Sequence, residues 1–358
     1  MRTALVSWAS GTACAAVLFL SACASKPRQP PPNLYPTPAP YATQPGASPQ
    51  YPSPQQYPYP QQPGTAPPQQ PAPVPGPPPA PTSLPPVSAP VAYDPINAVD
   101  INFLRGRAQA VLGELVANLP PAQQQRVQGI PLIPDTEVGE VNAFAACTEK
   151  GKAVMAISDG MLDISAHLAQ ARAIDEIFGS RKVDEYIAFV ARNQRPDSPV
   201  VRPPPGFFDP TQSVDPRKVQ RQHQLLDEQI AFVLGHELAH HYLGHLPCTA
   251  GSVTLSEMNR VLADAVPVFN QPNEAAADAA GVNNVLTTGS RRQGYRFTEG
   301  GALLTMQFFG GIDQLSPLDV LFGFERSHPP PAGRVVIIQQ TANAFRMTGG
   351  QGLPILGL

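Results

Sequence analysis

Apolar and polar positions along the chain predict helices that are separated by a few short strands. Apolar residues recur at helical spacing over residues 96–118, 173–191, 252–265, 272–287, 298–309 and 331–346, and another helix is predicted to begin near Gly160. Shorter apolar runs at 130–133, 137–146 and 152–158 have the length and composition of strands. This order of elements predicts an α+β domain that is mostly helical and contains a small sheet.

The segment 227–246 predicts a largely buried helix that carries the sequence His236-Glu237-Leu238-Ala239-His240. Histidines four residues apart lie on the same face of a helix, and burying a polar side chain without a partner is costly. Two nitrogen ligands so placed suit one tetrahedral zinc ion, with Glu237 beside the remaining coordination position. The pattern predicts one Zn²⁺ per chain, bound by His236 and His240. The alternative is a core helix whose histidines are satisfied by other hydrogen bonds.

A third protein ligand is expected from a different helix, so that one position of the metal stays open for water. The run 273–278 places Glu274 and Asp278 on one helix face. Glu274 is the predicted third ligand, and Asp278 is predicted to accept a hydrogen bond from a ligand histidine. The alternative is an acidic first turn that complements the helix dipole. Glu257 and Asp264 are weaker candidates for the third ligand.

The N-terminal region predicts export from the cytoplasm. Arg2 is followed by an apolar stretch at 13–20, and small residues close the segment, which predicts a signal peptide at 1–22. Residues 20–23, Leu-Ser-Ala-Cys, resemble the lipobox of bacterial lipoproteins, which implies that Cys23 is lipidated and anchors the chain to the membrane. Ala24 favours the outer membrane, so the expected location is the periplasmic side of the envelope. The alternative is a plain secreted protein that is cut nearby.

Composition divides the mature chain into a tether and a domain. Residues 23–93 are rich in Pro and Gln and nearly free of charge, which predicts a disordered, lipid-anchored tether. The 46 prolines explain the charged fraction of 14%, and the net charge of -3 gives no reason to expect nucleic-acid binding. Residues 94–346 suffice for one ordinary domain, and residues 347–358 are predicted to be a flexible tail.

Five blocks of the chain resemble, in order, the gluzincin peptidases related to HtpX, the CAAX prenyl endopeptidase and the mitochondrial Oma peptidase. Among these peptidases, the chain most resembles the BepA-like periplasmic lipoproteins. The blocks are residues 141–145, 154–162, 231–245, 273–281, and Ser327-His328-Pro329 with Arg334.

The resemblance implies a zincin-like fold in which an edge strand flanks the active-site helix, and an endopeptidase that acts on misfolded or misassembled envelope proteins. Glu237 would be the general base. His328 would stabilise the transition state or bind the metal as an autoinhibitory ligand, unless it is an ordinary surface histidine. An exposed edge at Asn142, Ala143 and Phe144 would pair with the substrate backbone.

His241 and His245 are interpreted as structural. A competing function is a chaperone or assembly factor that keeps the peptidase fold, and the intact Glu237 favours catalysis over it.

Two features depart from the family pattern. Residues 165–225 form an insertion before the zinc helix, and the spacing from His240 to Glu274 is short. The Pro-rich loop 195–216 carries Phe207 and Phe208, which we expect to dock in the substrate cleft and gate it. The alternative is a decoration that packs on the far side of the domain.

Cys147 and Cys248 remain after Cys14 leaves with the signal peptide and Cys23 takes lipid. In the fold that the resemblance implies, Cys147 ends the edge strand and Cys248 follows the helix beside it, which predicts a disulfide in an oxidising compartment. The alternative is that Cys147 is a thiolate that blocks zinc.

Overall fold

The computed structural model describes residues 93–195, 198–263, 269–315 and 322–350, without the side chain of Glu325. The predicted signal peptide, Cys23, nearly all of the predicted tether and residues 351–358 of the predicted tail lie outside the described residues. The helices are α1 Ile101–Ala117, α2 Pro121–Val127, α3 Asp159–Phe178, α4 Lys182–Asn193, α5 Pro210–Ser213, α6 Pro216–Tyr242, α7 Leu255–Ala263, α8 Gln271–Arg291, α9 Gly300–Leu315, α10 Gly323–Ser327 and α11 Pro331–Met347. Within the described part of the chain, no helix combines the length and the apolarity that a membrane span requires.

In the described part of the chain, three strands form one sheet that flanks the helices. The strands are β1 Leu132–Asp135, β2 Ala143–Cys147 and β3 Ala153–Ser158. β3 is central, parallel to β1 and antiparallel to β2, with Leu132 opposite Met155 and Ala143 opposite Ile157. The prediction of a mostly helical α+β domain with a small sheet is confirmed.

The predicted strand at 137–146 is wrong in its first half. Asp135 Oδ1 accepts a hydrogen bond from the backbone N–H of Glu137, and Gly139 has a φ of 82°. These turn conformations remove the segment from the sheet, because a strand needs extended backbone at every residue. Pairing therefore begins only at Ala143.

Helix α6 lies at the centre of the domain and packs against α1, α3, α8 and α9. It begins at Pro216, well before the predicted start, because Asp215 caps the N–H of Arg217 and Pro216 suits the first helical position. It ends at Tyr242 rather than at 246, because Gly244 adopts a φ of 81° that leaves the right-handed helical region. Its residues from Leu225 to Tyr242 are all buried.

The first part of the segment 165–225 belongs to the core, and its interpretation as an insertion relative to the family stays a prediction. Residue 165 lies inside α3, a 20-residue helix that is buried along most of its length and packs against α6. Its polar residues have internal partners: His167 Nδ1 lies 2.8 Å from Asp163 Oδ1, and Gln170 Nε2 donates to the carbonyl of Ile96. Gly179, with a φ of 72°, separates α3 from α4, so the predicted helix at 173–191 is two helices.

The expectation that Phe207 and Phe208 dock in the substrate cleft is also wrong. The ring of Phe207 packs against Tyr186 and Phe189 of α4, at centroid distances of 6.4 and 6.3 Å, and Lys182 lies over it at 4.8 Å. Phe208 packs edge-on against Phe207 at 4.9 Å. The aromatic pair thus covers apolar surface of α4, which leaves the gating hypothesis without its structural basis.

Candidate metal centre

The two histidines of α6 turn their rings toward each other from the same helix face. His236 Nε2 and His240 Nε2 lie 3.1 Å apart, and both side chains are almost completely buried. The i, i+4 spacing on a straight helix accounts for this convergence. The sequence prediction that these two imidazoles share one site agrees with their placement.

Helix α8 brings a carboxylate to the same point. Asn270 caps the helix by accepting from the N–H of Asn273, which places Glu274 in the first turn. Glu274 Oε2 lies 3.4 Å from His236 Nε2, and Oε1 lies 3.5 Å from His240 Nε2. The close crossing of α8 and α6 depends on Gly281, where a Cβ atom would lie 2.9 Å from the backbone nitrogen of His236.

These three side chains fit a zinc ion. Ligand atoms that each lie about 2.0–2.1 Å from a tetrahedral zinc are separated by roughly 3.3 Å, which the spacing of 3.1 to 3.5 Å matches. Both carboxylate oxygens of Glu274 are buried and have no hydrogen-bond partner among the described residues. A buried carboxylate without a donor is unfavourable, so the donor set itself favours a bound cation.

A chain of charges supports His236 on the side away from Glu274. Its Nδ1 lies 2.9 Å from Asp278 Oδ1, and Arg334 of α11 donates to both oxygens of Asp278, at 2.7 and 2.9 Å. Burial and the Arg334 cation act to lower the pKa of His236, but the Asp278 and Glu274 carboxylates outweigh them and raise this pKa to about 9. Burial acts to raise the pKa of Asp278, yet Arg334 and His236 hold it well below its usual range.

His240 has neutral aromatic neighbours instead. Its Nδ1 lies 3.0 Å from His245 Nδ1, and its ring stacks on that of Phe269 at a centroid distance of 3.8 Å. Burial, followed by the positive charge of His236, holds the pKa of His240 far below its usual value. Burial also lowers the pKa of His245. The interpretation of His245 as purely structural overlooked this contact with a candidate ligand.

Glu237 and His328 form a second pair within the site. His328 Nε2 lies 3.2 Å from Glu237 Oε1, and His328 Nδ1 lies 2.9 Å from the carbonyl oxygen of Phe324, which can only accept a hydrogen bond. The ring of Phe324 stacks on His328 at 4.5 Å and fixes its plane. Glu237 Oε2 is buried without a hydrogen-bond partner among the described residues. His328 is therefore a buried neighbour of Glu237, and its alternative interpretation as a surface histidine is wrong.

The predicted substrate-binding residues Asn142, Ala143 and Phe144 lie at the edge strand of the sheet, and β2 packs against α6. Their predicted exposure, however, is wrong, since all three are buried. Two contacts explain this: the N–H of Phe324 donates to the carbonyl of Val141, and Phe144 belongs to a small apolar cluster with α7. Their role in binding substrate stays a prediction.

The remaining predicted residues lie around this centre. Cys147 and Cys248 are joined by a disulfide, with their Cα atoms 5.6 Å apart. His241 Nε2 lies 3.0 Å from the carbonyl of Val154, which ties α6 to β3 and agrees with a structural role. Glu257, a weaker candidate for the third ligand, instead pairs with Lys150 at 3.2 Å, and Asp264 lies outside the described residues.

Comparison with known proteins decides the family. A family model described as Peptidase family M48 matches residues 109–342, which is more than half of the chain. The chain belongs to peptidase family M48. A search of curated proteins and a search of solved structures gave no match.

Membership in family M48 confirms the resemblance to the HtpX and Oma type of peptidase, and the mostly helical fold with its small sheet is that of a zincin-like domain. It also indicates that the chain is a peptidase. The matched region contains His236, Glu237, His240 and Glu274. The BepA-like subtype stays a prediction.

Sequence reasoning assigned no role to two residues that contact this M48 site. Arg334 was part of the resemblance, but its pairing with Asp278 joins residues 56 positions apart, which no local pattern reveals. Phe269 carried no signal beyond its position just before the capping residue of α8. For His245 a signal does exist: a glycine at 244 commonly ends a helix in the left-handed conformation and turns the next residue back.

Proposed function

We propose that this M48 peptidase is a zinc-dependent endopeptidase of the bacterial cell envelope that hydrolyses peptide bonds of misfolded or misassembled envelope proteins. The observation that carries the proposal is the buried convergence of two imidazoles and one carboxylate beside Glu237. A binding module would have no use for a second buried carboxylate at that position. The arrangement therefore favours catalysis.

His236, His240 and Glu274 would hold the zinc ion through two Nε2 atoms and a carboxylate oxygen. When bound there, zinc supplies Lewis acidity, which polarises a peptide carbonyl and makes water acidic enough to lose a proton near neutral pH. Asp278 accepts a hydrogen bond from His236 Nδ1, so the lone pair of Nε2 faces the metal position.

Glu237 is placed to move protons. Its Oε2 has no partner among the described residues and can accept a proton from the attacking water, then deliver it to the leaving amine. Its Oε1 is oriented by His328. The Nε2 of His328 faces the site, where an N–H donor beside the reacting carbonyl would stabilise the oxyanion.

We further propose that the enzyme works on the periplasmic side of the envelope, held by lipid on Cys23 at the outer membrane rather than the inner membrane. The signal-like segment at 1–22 and the Leu-Ser-Ala-Cys sequence support export and lipidation. The disulfide between Cys147 and Cys248 suits an oxidising compartment. Loss of membrane association on Cys23→Ser, measured by fractionation, tests the anchor, and an unchanged membrane fraction would contradict it.

The test of function compares two glutamate variants of the full chain, purified in detergent. Glu237→Gln should retain zinc but lose cleavage of an unfolded protein such as casein, because the amide cannot accept the proton of water. Glu185→Gln is the matched control, since Glu185 is half-exposed on α4 and pairs with Lys182. It should match the parent in both zinc content and rate.

Zinc content and cleavage rate together separate the possible outcomes. Glu274→Gln should lower zinc occupancy strongly, because it removes the anionic ligand. A Glu237→Gln protein that cleaves at the parental rate would overturn the mechanism. A parent chain that binds zinc but cleaves neither unfolded nor misfolded proteins would overturn the proposed activity.

A further inference from the structure

After helix α6 ends, the chain turns back, and His245 contacts the metal centre that α6 carries. The N–H of His245 donates to the carbonyl of His240 at 2.9 Å, and the N–H of Gly244 donates to that of His241 at 3.1 Å. With Gly244 at a φ of 81°, this pair of bonds is a Schellman motif. Such motifs usually bring an apolar side chain back against the last turn of the helix. Here the returning side chain is an imidazole.

The two imidazoles meet nitrogen to nitrogen. His240 Nδ1 lies 3.0 Å from His245 Nδ1, while His240 Nε2 faces His236 Nε2 and Glu274. Within the described ranges, only His245 forms a hydrogen bond with His240 Nδ1. A metal ligand that bonds through Nε2 must carry its hydrogen on Nδ1, so His240 is the donor in this contact and His245 the acceptor.

We propose that His245 is a positioning residue for the zinc ligand His240. By accepting the Nδ1–H hydrogen bond it selects the tautomer whose Nε2 lone pair faces the metal, and it fixes the rotation of the ring. Phe269 holds the same ring from one face, with an interplanar angle of 22°. The inference rests on the proposed zinc site, but it needs no assumption about the substrate.

His245 does for His240 what Asp278 does for His236, but with a neutral acceptor. Removing such a partner of a metal ligand typically costs roughly 10- to 100-fold in metal affinity. The loss should appear only when metal is bound, because the half-buried His245 lies at a helix end and fills no part of the apolar core.

A matched pair of substitutions tests the proposal in the full chain. His245→Asn keeps an acceptor, since Oδ1 of asparagine lies as many bonds from the backbone as Nδ1 of histidine. His245→Leu keeps a similar volume but removes the acceptor. His223→Leu is the control, because His223 is also a partly exposed histidine of α6 but bonds to Asp94.

Three quantities are measured for each variant: zinc affinity by competition with a chelator, the visible spectrum of the cobalt-substituted protein, and thermal unfolding of the metal-free protein. His245→Leu should bind zinc roughly 10- to 100-fold more weakly and shift the cobalt bands. His245→Asn should recover most of the affinity, and the metal-free unfolding temperature of both should match that of the parent. His223→Leu should leave zinc affinity and the cobalt spectrum as in the parent.

Three outcomes overturn the proposal. Parental zinc affinity in His245→Leu would show that His240 needs no such partner. Equal losses in both variants, with a lower unfolding temperature of the metal-free protein, would make His245 merely structural. A parent chain that binds no zinc would remove the proposed function as well. A parent chain that binds zinc without cleaving proteins would overturn only the proposed peptidase activity. The zinc affinities of the His245 variants would then still decide the role of His245.

Discussion

The two histidines of the metal centre lie one helical turn apart, yet their surroundings differ in charge. His236 faces the Asp278 carboxylate, which is paired with the buried Arg334, whereas His240 faces the imidazole of His245 and the ring of Phe269. Burial acts to lower the pKa of both side chains, but only His236 has carboxylates that reverse this and raise its pKa. Spacing along the helix thus sets where the two ligands point, and their tertiary neighbours set their charge.

The difference also concerns what each side contributes to the fold. The His236 side joins α6, α8 and α11 through buried charges, so each charge there depends on its partners. The His240 side lies at the end of one helix and involves uncharged rings. We therefore expect substitutions around His236 to weaken both folding and metal binding. Substitutions around His240 should weaken metal binding almost alone.

The largest effect is expected from Asp278→Asn. The amide has nearly the same shape but leaves the guanidinium of Arg334 buried without its counter-ion, which should cost about 3–5 kcal/mol of unfolding free energy. Zinc affinity should fall as well, because the acceptor of the His236 Nδ1–H changes from an anionic carboxylate to a neutral amide oxygen, which makes His236 a weaker ligand. Urea unfolding of the metal-free protein and chelator competition measure the two losses.

Asp184→Asn is the control for this change, because Asp184 pairs with Arg181 at 2.9 Å on the surface of the domain. An exposed ion pair contributes about 0–1 kcal/mol, so this variant should unfold almost like the parent. If Asp278→Asn destabilised the metal-free protein no more than Asp184→Asn or His245→Leu, the distinction between the two sides would fail.

A change of pH should have a smaller effect on zinc affinity, and it compares the two ligand histidines directly. The pKa of His236 is raised to about 9, so in the metal-free protein this imidazole holds its proton below that pH. The proton competes with zinc for Nε2, so zinc affinity should rise by about tenfold per pH unit between neutrality and pH 9 and then level off. The pKa of His240 is lowered, so it should stay neutral over this range.

Nitrogen NMR of the histidine rings in the metal-free protein tests this difference. His236 should titrate near pH 9 and His240 should show no titration between neutrality and that value. Signals are assigned from the spectra of His236→Gln and His240→Gln. Two rings that titrate together near the ordinary pKa of histidine would contradict the comparison.

The smallest effect is expected from Phe269→Ala. Loss of the ring stacked on His240 removes a contact of about 0.5–1.5 kcal/mol, so zinc should dissociate a few times faster while His240 keeps its hydrogen bond to His245. Stopped-flow transfer of zinc to a chelator measures the rate, and Phe208→Ala is the control because that ring packs against Phe207. A loss greater than that of His245→Leu would reverse the proposed ranking of the two neighbours.

The part of the site that sequence could predict is the part that helix geometry determines. His236 with His240, and Glu274 with Asp278, are i, i+4 pairs, so their shared faces follow from spacing alone. The contact of Asp278 with His236 can also be predicted if these faces of α6 and α8 are assumed to pack against each other. Arg334 and Phe269 could not be assigned roles, because their contacts depend on how α11 and the start of α8 pack in three dimensions.

The burial of α3 could not be read from its composition, because buried polar groups are hydrogen-bonded to partners elsewhere in the fold. Helix α3 contains Ser165, His167 and Gln170. In the structure the carbonyl of Ser165 accepts from Gln229, and the other two side chains have internal partners. The edge strand β2 was expected to be exposed, but Phe144 packs with side chains of α7, and the N–H of Phe324 in α10 bonds to the carbonyl of Val141 just before the strand.

Both sides of the comparison depend on one zinc ion held by His236, His240 and Glu274. X-ray diffraction at the zinc absorption edge, on crystals of the zinc-loaded chain, locates that ion. We expect one anomalous peak per chain, about 2.0–2.2 Å from the Nε2 atoms of both histidines and from a carboxylate oxygen of Glu274. A peak bound by other residues, or none at these three side chains in a protein that contains stoichiometric zinc, would show that they do not form the metal site.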